Sequence, residues 1–565
     1  MNYFDYFKIS LSEILKGIYE EKINFIEKIE DSFTVEVPSK KNFGELSTNI
    51  AMIFSKQLKM SPRDLAELIS KELIKNKYVK DIDIAGPGFI NLFLKKEFWH
   101  QQLVNFVSSF DNYNYNVKPK KICVEYVSAN PTGMLHIGHA RGAVLGDAIS
   151  SILQEVGHHV DKEYYINDAG EQIKKLVKTI IYHKENPNSD LKKINNDDYY
   201  PGNYLVGISS TINKVDNIEI SNEVTELIMK DIKNDLKSLG ISHDNYISEK
   251  IMASKSNINQ LKKKLIDKDL AYLGFQDEPD SQKNKSWKKE KKLLFRSSNY
   301  GDDKDRALIK PNGELTYFMT DIIYHLNKVE RGYDILLNVW GADHSGYVKR
   351  LTNATLQLSE KKINFKIFLT GLVNLYNNKK LLKMSKRPGN YLTLKDVYNE
   401  VGSDALRFMM ISRDARSTID FDFQSVQERN KDNPVFYVQY AYARCKSLFK
   451  IFKENFNLNS DKNAFYSNNL KLNEEIDLIK KVTNFHNVLL QSAEFYEPHR
   501  VTSYLYDLAR MFHNYWGLGK INANNKIIID DNEEITCSRI FLVNIISLVI
   551  KKGLRIIKIN CPENM

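Results

Sequence analysis

The sequence predicts an α/β protein with three parts: an α+β domain at residues 1–112, a doubly wound parallel-sheet domain at 113–425, and an all-α domain at 426–565. Three observations carry this. The stretch "KKICVEYVSANP" is a short apolar strand ending in turn residues, and "GMLHIGHARGAVLGDAISSILQEVG" follows it as a helix. Strand, loop and helix in that order open a parallel sheet. Strand and helix then alternate through the middle of the chain. From "NPVFYVQYAYARCKSLFKIF" onward, apolar residues recur three and four apart, the period of packed helices.

In the first domain, "LSEILKGIYEE" has helical spacing, and "SPRDLAELISKELIK" opens with a Ser cap and Pro62 in the first turn. "DIDIAGPGFINLFL" predicts two strands broken at Gly86-Pro87-Gly88. Asn112 to Asn116 is a polar linker. Further strands are expected in "HHVDKEYYI", "DILLNVWGADH" and "FKIFLTGLVNL". "PDSQKNKSWKKEKK" is charged and poor in apolar residues, as in a surface insertion; a basic RNA contact is the alternative. No internal repeat is evident.

With 42% hydrophobic and 27% charged residues, the chain has the composition of a globular protein rather than a disordered one. A net charge of +10 suits a polyanionic partner, and equally a solvated surface. Cys123, Cys445, Cys537 and Cys561 show no metal spacing and no disulfide framework, as for small apolar residues in a reducing compartment. The N-terminal segment does not read as a signal peptide, and "IFLVNIISLVI" is too short to span a bilayer. A cytoplasmic protein is expected.

His136 and His139 flank Ile137-Gly138 at the start of the helix that follows the first strand. In a doubly wound sheet, ligands bind at the carboxyl ends of the strands where strand order reverses. The free N–H groups of a helix N-terminus there attract phosphate. Histidines at i and i+3 can face one ligand, and Gly138 leaves room for a flat group such as adenine. The arrangement suits ATP, although it is neither a Walker loop nor a dinucleotide fingerprint. On their own the two histidines could be incidental, or could share a metal, but no third ligand is near and no resident metal site is expected. Downstream, "KKLLKMSKRPGNYLTL" holds Lys383-Met384-Ser385-Lys386 in a cationic loop.

His-Ile-Gly-His early in an α/β domain, with Lys-Met-Ser-Lys near its end, resembles the paired signature of class I aminoacyl-tRNA synthetases. That resemblance implies a Rossmann-like catalytic domain in which an amino-acid carboxylate attacks the α-phosphate of ATP. His136 and His139 would donate to the phosphates, Lys386 would hold the departing pyrophosphate with Lys383 helping, and Mg²⁺ would sit on the phosphates. Gly138, Met384, Ser385, Asp343 and His344 would complete the ATP site. The likeness narrows to the arginyl-tRNA synthetase family through "GPGFINLFL", "VEYVSANPTG", "YYINDAGEQI", "YGDDKDRALIKPNGELTYFMTDIIYHLNKVERGYD", "WGADHSGYVKRL", "VGSDALRF" and "DNPVFYVQYAYARCKSL". It implies L-arginine and tRNA(Arg) as partners of a monomer, with no membrane association.

A guanidinium needs a carboxylate that accepts a fork of hydrogen bonds. Tyr317 and Asp321 lie four apart on a predicted helix; by resemblance they line the guanidinium pocket, with Glu125 and Glu249 as further anions. A local cap or pair for Asp321 is the plain alternative. Ser128 and Asn130 resemble residues that hold the substrate's α-amino and carboxylate groups. No editing domain is expected, because an acidic pocket rejects neutral side chains steeply. The first domain resembles an extension that reaches the outer corner of tRNA: "NFGELSTNIAM" carries Asn49 of its pattern, with Glu45 where Asp is usual. The final "NCPENM" resembles a family ending that contributes Met565, with Asn564 in place of an arginine. The helical domain is expected to read the anticodon through Tyr437, Tyr440 and Arg444, a helical stripe that could equally face the core. Among rivals, a cysteinyl enzyme would carry clustered Cys and His ligands for zinc, a non-catalytic RNA-binding relative would have lost these residues, and a nucleotidyltransferase would not need the helical C-terminus.

Overall fold

The computed structural model describes residues 3–23, 29–38, 40–187, 198–200, 202, 204–275, 290–310, 312–360, 362–382, 392–430, 432–456 and 467–565. Lys383, Met384, Ser385 and Lys386, and nearly all of the basic insertion, lie outside the described residues. Two compact units are present: Asn114–Ala443 with His486–Ala509 and Ile550–Met565, and Met1–Tyr113 with Arg444–Phe485 and Arg510–Val549.

The first unit is built on a five-stranded sheet of β1 (Lys121–Tyr126), β2 (His159–Ile166), β3 (Asn245–Ser248), β4 (Ile335–Gly341) and β5 (Asn364–Thr370). The strand order is β5-β4-β1-β2-β3, and every pairing is parallel. Strand order therefore reverses between β1 and β4, which is the doubly wound topology and defines its switch point. Ile122 through Tyr126 are all buried, as in a strand covered on both faces. Helix α1 (Ile137–Glu155) lies directly on β1: a Cβ on Gly146 would stand 2.3 Å from Cγ of Tyr126, so only glycine permits this approach. Helices α2 (Tyr317–Glu330) and α3 (Leu394–Met410) follow later in the chain. Phe318, Met319, Ile322 and Leu326 of α2 pack with Cys123, Leu336 and Leu351 in one core. "FKIFLTGLVNL" is strand as expected, in two pieces. β5 ends at Thr370 and Val373–Asn377 joins a separate sheet, broken at Gly371, where a Cβ would stand 2.5 Å from the Arg416 carbonyl oxygen.

The second unit holds an antiparallel sheet of Val35–Glu36, Leu46–Thr48, Phe89–Leu94 and Val79–Ala85. Ser61 caps the helix Pro62–Leu73 by accepting the Asp64 N–H at 3.1 Å. Gly88 has a φ of +139°, and a Cβ there would stand 2.8 Å from the Pro62 carbonyl oxygen. The C-terminal region is helical as expected: Pro434–Asn455, Asn473–Thr483, Phe485–Phe495, His499–Ile521 and Glu533–Ile556. No helix among the described residues is long and apolar enough to cross a membrane.

Candidate active site

Two half-sites flank the switch point. The first is at the N-terminus of α1. His136 is its N-cap: Nδ1 of His136 accepts the Gly138 N–H at 3.1 Å, and Nδ1 of His139 accepts the His136 N–H at 3.2 Å. Each ring therefore carries its proton on Nε2, aimed away from the backbone. The rings lie 3.9 Å apart at 30°. Burial pushes His136 below its ordinary value; burial and the neighbouring His136 push His139 down to about 3. Both are thus neutral Nε2–H donors at pH 7. Gly138 has a reason beyond adenine access, since a Cβ there would stand 2.9 Å from Cε1 of His136 and displace the cap. The pair lines a cleft of about 500 Å³ together with Asn130, Thr132, Gln172 and Thr393.

The described residues on either side of positions 383–391 are held in place. Lys380–Leu382 pairs antiparallel with Val373–Asn377, and Thr393 forms a bridge with His136, reinforced by Leu394 N–H to the Leu135 carbonyl at 2.8 Å. Beyond β4, Asp343 and His344 are exposed and 3.5 Å apart, and the His344 ring lies 5.8 Å from that of Trp340.

The second half-site is acidic. Asp321, on α2, accepts the Tyr347 hydroxyl at 2.6 Å. Its carboxyl is raised to about 7, by burial first and by the nearby charges of Glu125 and Glu249, against the Tyr347 hydrogen bond and the Lys328 charge. Glu249 is buried with Oε2 lacking any hydrogen bond, and burial holds its carboxyl up. The Tyr165 hydroxyl is also buried, beside Thr320. Glu125 is buried, 2.5 Å from the Lys328 ammonium, and accepts the Ser128 hydroxyl at 3.1 Å. Carboxylates crowded together without enough cations, and with an orphaned acceptor among them, form a receptor for one more cation. Asn130 donates to Gln172 at 2.8 Å. Tyr317 stands at the first turn of α2, 56% exposed, and no hydrogen bond joins it to Asp321 among the described residues.

The residues expected to touch RNA fall in separate places. Asn49 caps no N–H of its own helix; its Oδ1 accepts the Thr34 N–H at 2.8 Å. Glu45 accepts from Lys480 at 2.9 Å and from the Leu94 N–H at 2.8 Å, so its longer side chain is held within its own unit. Tyr440 is half-buried and stacked on Phe436 at 5.7 Å, and the Tyr437 ring lies 5.4 Å from that of Tyr506. Arg444, counted in the other unit, lies 3.9 Å above the Trp516 ring and 2.7 Å from Nδ1 of His513. Met565 is 51% exposed.

Residues 6–94 match the family described as arginyl tRNA synthetase N terminal domain, 102–202 the catalytic domain of tRNA synthetases class I (R), and 438–565 the DALR anticodon binding domain. Residues 322–422 match tRNA synthetases class I (I, L, M and V). The arginine–tRNA ligase of Wolbachia sp. subsp. Brugia malayi (strain TRS) is 41% identical over 548 residues, covering 94% of this chain and 95% of that protein. The chain belongs to the arginine–tRNA ligase family. Another member, from Pelagibacter ubique, is 39% identical over 581 residues and matches end to end, at 100% of both chains. The structure of Thermus thermophilus arginyl-tRNA synthetase shares the fold, with a TM-score of 0.72 at 18% identity over 96% of this chain and 100% of that one. Membership makes the chain a class I ligase that uses ATP as a substrate and forms an aminoacyl-tRNA.

Several residues around the acidic cluster escape a sequence reading. Tyr347 sits within "WGADHSGYVKRL", but only the fold brings it to Asp321. Tyr165, in "YYINDAGEQI", stacks on Tyr324 at 4.2 Å and points its hydroxyl at the acids. Lys328 reads as an ordinary cation in the last turn of a helix and is instead fully buried.

Proposed function

We propose that the chain activates L-arginine with ATP and transfers it to the 3′ end of tRNA(Arg), releasing pyrophosphate and AMP, with the two half-sites dividing the work. The single observation that carries this is their chemistry: a neutral histidine pair on a helix N-terminus, beside an acidic cluster short of one cation. Nε2–H of His136 and His139 would donate to ATP phosphates, where the helix N-terminus adds positive potential. Asp321, with Glu249, would take the guanidinium, while Ser128 and Asn130 would hold the α-amino and carboxylate groups near the α-phosphate. Asp343 and His344 would lie beside the nucleoside. No group of three or more His, Cys, Asp or Glu among the described residues could hold a metal ion. In this reading Mg²⁺ arrives as the counterion of the ATP phosphates and no step is routed through it. We further propose a cytoplasmic monomer.

The test is to offer the purified protein each labelled amino acid with ATP, Mg²⁺ and total tRNA. Arginine alone should be charged; charging of cysteine or glutamate in preference would refute the proposal. Lys386→Ala should lower turnover in arginine-dependent pyrophosphate exchange by about 10²-fold, because charge develops as pyrophosphate leaves. A variant with normal turnover would remove Lys386 from that role.

For the anticodon, we propose that Tyr437 and Tyr440, and Arg444 by itself, stack on or pair with unstacked bases. The half-burial of Tyr440 supports this, since a core side chain would be shielded. Tyr440→Ala should lower charging efficiency by about tenfold, the value of one lost base stack. Its melting temperature should stay within a degree or two of the parent (about the noise of a surface change). A variant that melts early yet charges normally per folded molecule would assign Tyr440 to the core.

A further inference from the structure

Beside the acidic cluster, Lys328 is fully buried. It lies 2.5 Å from Glu125 Oε2, 3.3 Å from Asn338 Oδ1 and 4.2 Å above the Tyr324 ring. Burial alone would lower its pKa, but Glu125, Cys123 and Glu163 raise it, so the group is a cation. The other oxygen of Glu125 holds the Ser128 hydroxyl, and Ser128 Oγ in turn accepts the Tyr165 N–H at 3.1 Å. Between them the backbone is strained: Val127 has a φ of +71° and Ser128 of +40°, a conformation that a β-branched residue rarely adopts. Such strain persists only where surrounding contacts over-determine it. Here the contacts run Lys328, Glu125, Ser128, Tyr165.

We propose that Lys328 is a positioning residue for arginine recognition: its ion pair locks Glu125, and through it the left-handed Val127–Ser128 turn, so that the acid cluster receives one guanidinium in one orientation. The role rests on the arginine pocket proposed above and deepens it. The pair also settles how many charges the pocket offers. With Lys328 bound to Glu125, Asp321 and Glu249 are left facing the substrate. Without Lys328, three buried carboxylates would share one incoming cation, and the turn that carries Ser128 would lose its tether.

The groups facing Asp321 are Glu125 from β1, Tyr165 from β2, Glu249 from the short helix Glu249–Met252, Tyr347 from the helix Ser345–Leu358, and Lys328 on α2 itself. The Lys328 charge helps to lower the Asp321 carboxyl. Its removal should therefore move the pH at which arginine use rises upward.

The experiment compares Lys328→Met, Glu125→Gln with Lys328→Met, and Asp321→Asn in pyrophosphate exchange, corrected for folded fraction. Lys328→Met is expected to raise KM for arginine by more than about tenfold, with KM for ATP within about twofold, and to shift the rise in kcat/KM for arginine to higher pH. The double variant replaces both charges with neutral groups of similar shape. It should recover folding and return the pH profile towards that of the parent, even if Lys328→Met alone folds poorly. An unchanged arginine KM and pH profile in folded Lys328→Met, or in the double variant an upward-shifted profile equal to that of the single one, would overturn the proposal. If Asp321→Asn also leaves the arginine KM unchanged, the pocket itself is misassigned; if Asp321→Asn alone weakens arginine, only the role of Lys328 falls.

Discussion

Asp321→Asn is expected to raise KM for arginine by more than about tenfold and to leave KM for ATP nearly unchanged, since a buried charge-assisted pair is worth about 1.5–3 kcal/mol. The same carboxyl should dominate the pH dependence. In the free protein burial holds Asp321 at about 7, against the Tyr347 hydrogen bond, with Glu125 and Glu249 adding to the rise. Below that pH it is largely neutral and a poor partner for a guanidinium. kcat/KM for arginine, which reports the free protein, should therefore rise through about pH 7. The sign for stability is opposite. A carboxyl raised from 3.8 to about 7 by folding contributes stability at low pH that is lost as pH climbs through that window. Saturating arginine should restore it, because the guanidinium favours the charged form. Hence melting temperature measured without and with arginine should diverge as pH rises from about 5 to 8. Asp321→Asn should abolish both the kinetic rise and the divergence. A flat kcat/KM profile in the parent protein, or one that survives the substitution, would show that Asp321 is not the group that meets arginine.

What the sequence disclosed and what it hid follow from distance along the chain. The α1 start was legible because everything that makes it is local: a strand, a turn, and two histidines three residues apart whose Nδ1 atoms close a capping box. Asp321 was a candidate only through the family resemblance, since helical spacing alone left a local cap or pair as the plain reading. Its environment was not legible. Lys328 and Glu125 meet across 203 residues, and Tyr347 reaches Asp321 from 26 residues away, so no periodicity records either contact. Tyr317 marks the opposite case. Helical spacing put it on the face of Asp321, yet it occupies the first turn, where the helix emerges from the core and the side chain is exposed. The strand expected in "FKIFLTGLVNL" is present, but its division at Gly371 was not legible, because close approach of a neighbouring backbone is invisible in a sequence.

The Asp404-Ala405-Leu406-Arg407 string was recognisable only as a resemblance, and the structure supplies its physics. Arg407 is fully buried on α3. It donates to Asp147 Oδ2 at 2.8 Å, to the Ile557 carbonyl at 3.0 Å and to the Leu239 carbonyl at 2.8 Å. Asp147, also fully buried, lies on α1 and takes Lys558 on its other oxygen at 2.6 Å. Asp404 holds the same end of the chain through the Asn560 N–H at 3.1 Å. One guanidinium thus ties the helix that carries His136 and His139 to residues near the C-terminus. Arg407→Met is expected to destabilise the protein by about 3–5 kcal/mol, because it strands two buried carbonyl oxygens and leaves the buried Asp147 carboxylate with Lys558 but without its guanidinium. Adding Asp147→Asn should recover part of the loss, since the buried oxygen that lost its guanidinium then carries no charge, while the partly exposed Lys558 keeps the Gly240 carbonyl as acceptor. Urea unfolding followed by tryptophan fluorescence would measure both. Activity per folded molecule should fall as well, because the middle of α1, the helix that carries the histidine cap, loses this tether. If Arg407→Met unfolds at the parent's urea midpoint, the pair is dispensable and α1 is held by its packing on β1 together with the Lys558–Asp147 pair.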